Sequence, residues 1–163
     1  MVEIGDDAPD FVLPMAGGDS YNDIEEFRLS TALESGPVVL AFFPAVFTSG
    51  CTDEMCAFRD SLAAFESVDA QVYGVSADLS FAQNIFIQQE GLNFPILADQ
   101  DREVIRAYDV LMEDMYGYFE VPERSVFVVD TDGTVAWKWV REGDNPDDFG
   151  AFVDDVADAV AAL

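Results

Sequence analysis

Residues 37–51 read PVVLAFFPAVFTSGC: an apolar run, a loop opened by Pro44, then a cysteine. The unbroken apolar run from Pro37 to Phe43 is the pattern of a strand buried on both faces of a parallel sheet. Pro44 cannot donate to a ladder and would end such a strand. Beyond it, Cys51, Met55, Phe58, Leu62 and Phe65 fall at i, i+4, i+7, i+11 and i+14, one apolar stripe of a helix. A buried strand passing through a short loop into an amphipathic helix opens a β-α-β unit. This stretch therefore sets the fold class as α/β.

Outward from this unit, strand and helix patterns alternate. QVYGVS (71–76) and FPILAD (94–99) read as further buried strands. SVFVVDTDGTVAWKWV (125–140) reads as two strands joined through Asp130-Thr131-Asp132-Gly133. DFVLP (10–14) is a short opening strand followed by the turn-rich AGGDSYND. Helices are expected at SFAQNIFIQQEG (80–91), bounded by a Ser and a Gly, and at DREVIRAYDV (101–110). The last helix takes Asn145 as its cap, Pro146 in its first turn, and Asp147 and Asp148 at the positive end of its dipole. Phe149, Phe152, Val153, Val156 and Val160 form its apolar stripe, with Asp154, Asp155 and Asp158 on the wet side. The order β-α-β-α-β-α-β-β-α implies one domain over residues 1–163. Its central mixed sheet is parallel in the middle, with an antiparallel edge hairpin and helices on both faces. VLMEDMYGYF (110–119) stays open as a substrate entrance, an interface or ordinary core.

Seven Lys plus Arg stand against thirty-three Asp plus Glu, a net charge of −26. Such a surface repels polyanions, which argues against nucleic acid or anionic membranes as partners. The acids are scattered as a coat over a well-formed core, the habit of proteins kept soluble in molar salt, so a halophile's cytoplasm is the expected setting. MVEIGDDAPDF has no basic region followed by an apolar run, and no stretch approaches the roughly 18 apolar residues of a membrane span. Thiols in that compartment are kept reduced, which counts against a permanent structural disulfide.

In open α/β sheets, chemistry gathers beyond the carboxyl ends of the strands, where Phe43 ends and Cys51 begins a helix. A sulfur there faces unpaired N–H groups and the positive end of the helix dipole, a setting that favours the nucleophilic thiolate. Asp53 and Glu54, placed in the same first turn, oppose it, so a nearby cation is required. Arg124, in VPERSVFVVD just before a central strand, is the candidate. Each residue also has a plain structural reading. Cys51 fits a packed core cysteine, Thr48 a helix cap, Pro44 a strand end and Arg124 a surface ion pair. Their joint placement at one sheet edge tips the balance towards a reactive site.

FFPAVFTSGC carries Pro44-x-x-x-Thr48-x-x-Cys51, which resembles the peroxidatic motif of the peroxiredoxins. IGDDAPDFVLP resembles their opening segment, and RSVFVVDTDG the segment bearing their active-site Arg. The resemblance runs from about Ile4 to Trp139. It implies a thioredoxin-like fold and a peroxidase that reduces hydrogen peroxide and alkyl hydroperoxides at cysteine, without haem, metal or other cofactor. By that resemblance Cys51 is the peroxidatic thiolate and Thr48 hydrogen-bonds the peroxide. Arg124 stabilises both the thiolate and the leaving oxygen, Pro44 shields the sulfur, and Glu54 orients Arg124. The reductant is expected to be a thioredoxin-like protein or a small thiol, and the protein a monomer or a homodimer.

Cys56 lies too far along for a C-x-x-C motif. Five residues along a helix place two Cα atoms roughly 8.6 Å apart, beyond the about 7 Å that a disulfide allows. CTDEMCAFRD (51–60) nevertheless resembles the C-T-x-E-x-C-x-F-R-D of the Q-type, or bacterioferritin-comigratory, peroxiredoxins. There the second cysteine resolves the sulfenic acid after local unwinding. By that match Cys56 is the resolving cysteine; otherwise it is a small residue on a helix flank and an external thiol resolves Cys51. Two readings from other classes remain: a general thiol–disulfide oxidoreductase, and a non-enzymatic thioredoxin-like module with Cys51 inert. A metal site is disfavoured, since two cysteines without histidine cannot make the usual zinc set.

Overall fold

The computed structural model describes every residue from Met1 to Leu163. Strand β3 (Val38–Phe42) lies at the centre, and each of its residues is buried. Its side chains alternate between two cores. Val39 and Ala41, with Phe43 just beyond, face one core, while Val38, Leu40 and Phe42 face the other. That explains the unbroken apolar run: neither face of the strand meets water. Helix α2 (Ser49–Glu66) follows, and Met55, Phe58 and Phe65 of its stripe are fully buried against the first core.

The remaining elements are β1 (Val12–Ala16), β2 (Ile24–Arg28), α1 (Leu29–Ala32), β4 (Gln71–Ser76), α3 (Ser80–Glu90), β5 (Ile96–Ala98), α4 (Glu103–Ala107), β6 (Leu111–Met115), β7 (Phe119–Pro122), β8 (Ser125–Val129), β9 (Val135–Val140) and α5 (Phe149–Ala161). Seven strands form one sheet in the order β2-β1-β5-β4-β3-β8-β9. Strands β3, β4 and β5 run parallel, and β8 pairs antiparallel with β3. Helices α2, α3 and α5 contribute to one core, and α1 and α4 to the other.

The antiparallel pairing of β8 is decisive for function. Its first residue, Ser125, lies opposite Phe42 at the end of β3. The start of β8 thus meets the carboxyl edge of the parallel strands, and Arg124 arrives beside the loop that leads to Cys51. Strand β9 returns antiparallel to β8 with Val140 opposite Ser125, and Arg141 N–H donates to the Arg124 carbonyl at 2.9 Å. Two cations are thereby delivered to one edge.

Several expectations need correction. Asn145 does not cap the last helix. Asp148 does, its Oδ1 accepting from Ala151 N–H at 3.1 Å. Helix α2 starts two residues before Cys51, so Asp53 and Glu54 fall in its second turn. Leu79, not Ser80, holds the cap position of α3, although Gly91 ends that helix in the left-handed conformation as expected (φ 61°). The helix expected over 101–110 spans only Glu103–Ala107. Strand β2 and the short α1 were not anticipated, and residues 110–119 enter a two-stranded hairpin, β6–β7, outside the main sheet.

Candidate active site

Cys51 is the third residue of α2, and the first bond inside that helix runs from Thr52 N–H to the Thr48 carbonyl at 2.9 Å. The N–H groups of Ser49, Gly50 and Cys51 find no acceptor within the protein. They are the orphan donors of a helix N-terminus, available to an oxygen brought beside the sulfur. The Cys51 side chain is 1% exposed, at the floor of a cavity of roughly 380 Å³. Pro44, Thr48, Arg124, Arg141, Met112 and Tyr116 are among its lining residues.

Arg124 is 2% exposed, and each of its three guanidinium nitrogens donates a hydrogen bond. Nη2 donates to Cys51 Sγ at 3.3 Å, Nη1 to Glu54 Oε1 at 2.9 Å, and Nε to Asn145 Oδ1 at 2.9 Å. The guanidinium carbon also lies 5.5 Å from the centroid of the Phe149 ring, a cation–π contact. Burial pulls the Arg124 pKa down, but Glu54 and Cys51 outweigh it, so the side chain stays cationic. Glu54 is completely buried, and Oε2 has no partner. Burial drives its carboxyl from 4.5 up to about 7 against the pull of Arg124. Burial thus works against the charged form of Glu54 even with Arg124 beside it.

Thr48 occupies the cap position of α2 without capping it. Its hydroxyl donates to the Ala45 carbonyl at 2.8 Å, which leaves the oxygen free to accept. The loop before it is tied to the loop after β4, Val46 N–H donating to Asp78 Oδ2 at 3.0 Å. Phe47 sits in the left-handed region (φ 68°), an uncommon conformation for a bulky residue and one that persists only where its surroundings enforce it.

The structure brings Cys51, Thr48, Pro44, Arg124 and Glu54 together and leaves Cys56 apart. Cys56 is a half-buried free thiol one and a half turns along the same unbroken helix. Burial raises its pKa, Arg59 opposes this, and Glu90, Asp60 and Asp53 add to the rise. Sequence reasoning missed Asn145 and Arg141, which meet at Asn145 Oδ1, where Arg141 Nη1 donates at 2.7 Å. The only signal for Arg141 was the hairpin register, which a bulge between Val128 and Val129 obscures.

A cysteine held by an arginine at a helix N-terminus, on the carboxyl edge of a mixed sheet, defines a thiol-dependent redox enzyme on a thioredoxin-type scaffold. Comparison with known proteins narrows the class. Residues 4–138 match the model of the AhpC/TSA family. A putative peroxiredoxin of Mycobacterium tuberculosis is 39% identical over 133 residues, 80% of this chain and 80% of that one. The crystal structure of peroxidoxin BcpB from the same species superposes with a TM-score of 0.86 at 32% identity, covering 100% of this chain and 99% of its own. A Xanthomonas campestris bacterioferritin comigratory protein, studied for its alkyl peroxide reduction activity, gives a TM-score of 0.81 at 27% identity, covering 99% and 97%. The chain belongs to the AhpC/TSA family and is a peroxiredoxin, a thiol peroxidase of the Bcp, or Q-type, kind.

Proposed function

We propose that Cys51 is the peroxidatic residue and that hydrogen peroxide and alkyl hydroperoxides are its substrates. The observation that carries this reading is Arg124 Nη2 on Cys51 Sγ at the floor of an open cavity. The thiolate attacks the terminal peroxide oxygen, the O–O bond breaks, and Cys51 becomes a sulfenic acid while an alkoxide or hydroxide departs and takes up a proton. The Thr48 oxygen accepts from the peroxide O–H and aligns the O–O bond with the sulfur. Arg124 and the Cys51 N–H stabilise the oxygens on which charge develops. Pro44, buried beside the sulfur, excludes water, and Glu54 orients Arg124. Met112, Met115 and Tyr116 offer an apolar wall to an organic tail.

Cys56 then resolves the intermediate. Its thiol attacks the sulfenic sulfur, a disulfide forms and water leaves. A dithiol reductant, thioredoxin-like, or a pair of small thiols returns both cysteines to thiols and is itself oxidised to a disulfide. The test is the intact mass of the reduced chain in molar salt after one equivalent of hydrogen peroxide. Loss of two hydrogens is expected for the native chain, gain of one oxygen for Cys56→Ser, and no change for Cys51→Ser. Oxygen gain in the native chain would make Cys56 a bystander. An unchanged native mass would leave Cys51 inert and overturn the assignment.

A further inference from the structure

Asn145 stands in the loop between β9 and α5, where the sequence marks it as a helix cap, yet Asp148 performs that task. The Asn145 side chain is turned instead to the active site. Its Oδ1 accepts from Arg124 Nε at 2.9 Å and from Arg141 Nη1 at 2.7 Å. Two cations on one side-chain oxygen fix the amide orientation, because the reversed amide would present its own donors to two guanidiniums. Nδ2 consequently faces the first turn of α2, where a Cβ built on Gly50 would lie 2.9 Å from it and 3.3 Å from Arg124 Nη2. Pro146 confines the Asn145 backbone to extended conformations, which limits how far the amide can swing. Arg141 is itself braced, its Nε donating to Glu123 Oε1 at 2.7 Å.

A guanidinium is planar and rigid, so fixing Nε and Nη1 leaves Nη2 a single direction. Glu54 fixes Nη1 from within the core, and Asn145 fixes Nε from the rim. Without Asn145, Glu54 and the face of the Phe149 ring would still hold the plate, but it could turn in its own plane and carry Nη2 off the sulfur. We propose that Asn145 is a positioning residue: its side-chain oxygen, shared with Arg141, locks the Arg124 guanidinium in the orientation that places Nη2 on Cys51. The consequence for peroxide turnover rests on the peroxidase reading. The effect on the sulfur does not.

The experiment therefore reads the sulfur by a route that needs no peroxide. In a Cys56→Ser background, the rate of Cys51 alkylation by iodoacetamide is followed against pH, with melting temperature recorded for every variant. Asn145→Ala should slow alkylation at pH 7 by roughly tenfold, less than the loss of an entire charge-stabilising donor, and shift the rate profile towards alkaline pH. In an Arg124→Lys background, where no Nε exists for Asn145 to hold, Asn145→Ala should change the rate by less than about twofold, since residues that act through one another are not additive. A purely structural role would instead lower the melting temperature and leave the alkylation profile in place. Unchanged alkylation in Asn145→Ala, or an equal loss in the Arg124→Lys background, overturns the proposal. If the alkylation pattern holds while the parent fails to react with hydrogen peroxide, the peroxidase assignment of Cys51 falls and the positioning role stands.

Discussion

At the scale of single residues, the site depends on an ion pair that burial nearly defeats. Glu54 and Arg124 are 2.9 Å apart with side chains 0% and 3% exposed, so both have lost their hydration. Such a pair repays its desolvation only with full hydrogen bonding, and Glu54 Oε2 lacks a partner. The carboxyl is therefore held up at about 7 from 4.5. A raised carboxyl pKa means that the fold prefers the protonated form. The associated stability is fully present below about pH 4.5 and is lost as pH rises through 7. A shift of this size corresponds to about 3 kcal/mol. We expect the unfolding free energy of the native chain, relative to that of Glu54→Gln, to fall by up to about 3 kcal/mol between pH 4.5 and pH 8. Urea titrations of both proteins at the two pH values would measure it. A constant difference would show that burial does not raise the Glu54 carboxyl above its value in the unfolded chain. None of this could be read from residue order alone. Glu54 was recognisable as a candidate through its place in the cysteine motif, but its burial depends on how α2 packs. Asn145, next to a proline and before two aspartates, carries a sequence signature indistinguishable from a helix cap.

At the scale of elements, α2 holds both cysteines and cannot join them as it stands. Ideal helical geometry sets their Cα atoms roughly 8.6 Å apart, whereas a disulfide tolerates about 7 Å. Disulfide formation must unwind the turns that contain Cys51 and Cys56. The first turn has three N–H groups without partners, so opening it breaks fewer backbone bonds than opening a turn farther along. Farther on, Phe58 is fully buried and stacks against Phe65 and Phe94, with ring centroids 5.9 and 6.4 Å away. Unwinding should start at the amino end and stop near Phe58. Hydrogen exchange after one equivalent of peroxide should show loss of protection between residues 52 and 57, with the helix beyond Phe58 little changed. Cys56→Ser treated in the same way should keep its protection. Equal protection in the oxidised and reduced native chain would rule out this pairing. The strong elements of the fold were legible because their faces are uniform: β3 and β8 are buried on both sides, and α2 and α5 carry continuous apolar stripes. Strand β2 escaped because it lies at the sheet edge with Phe27 as its one buried residue. The β6–β7 hairpin escaped because Glu113 and Asp114 interrupt its apolar pattern and its ladder is irregular between Met112 and Met115.

At the scale of the whole molecule, charge is the dominant unresolved force. Only six acidic side chains are ion-paired, one with each of Arg28, Arg59, Arg106, Arg124, Lys138 and Arg141, against thirty-three acids in all. The rest repel one another across a folded surface of 7637 Å², and unfolding relieves that repulsion by spreading the chain. Salt opposes it. The Debye length shrinks from about 10 Å at 0.1 M to about 3 Å at 1 M, shorter than most separations between surface carboxylates. The melting temperature should accordingly climb steeply with potassium chloride up to about 1 M and flatten beyond it, once screening is complete. Sulfate or sucrose would stabilise through exclusion from the surface, a separate effect without that plateau. Helix α5 supplies the control, because Asp154, Asp155 and Asp158 lie on its exposed face. Changing all three to Asn should raise the melting temperature at low salt and reduce its dependence on potassium chloride, leaving the high-salt value nearly unaltered. If the triple variant keeps the native salt dependence, repulsion among the surface carboxylates is not what salt relieves.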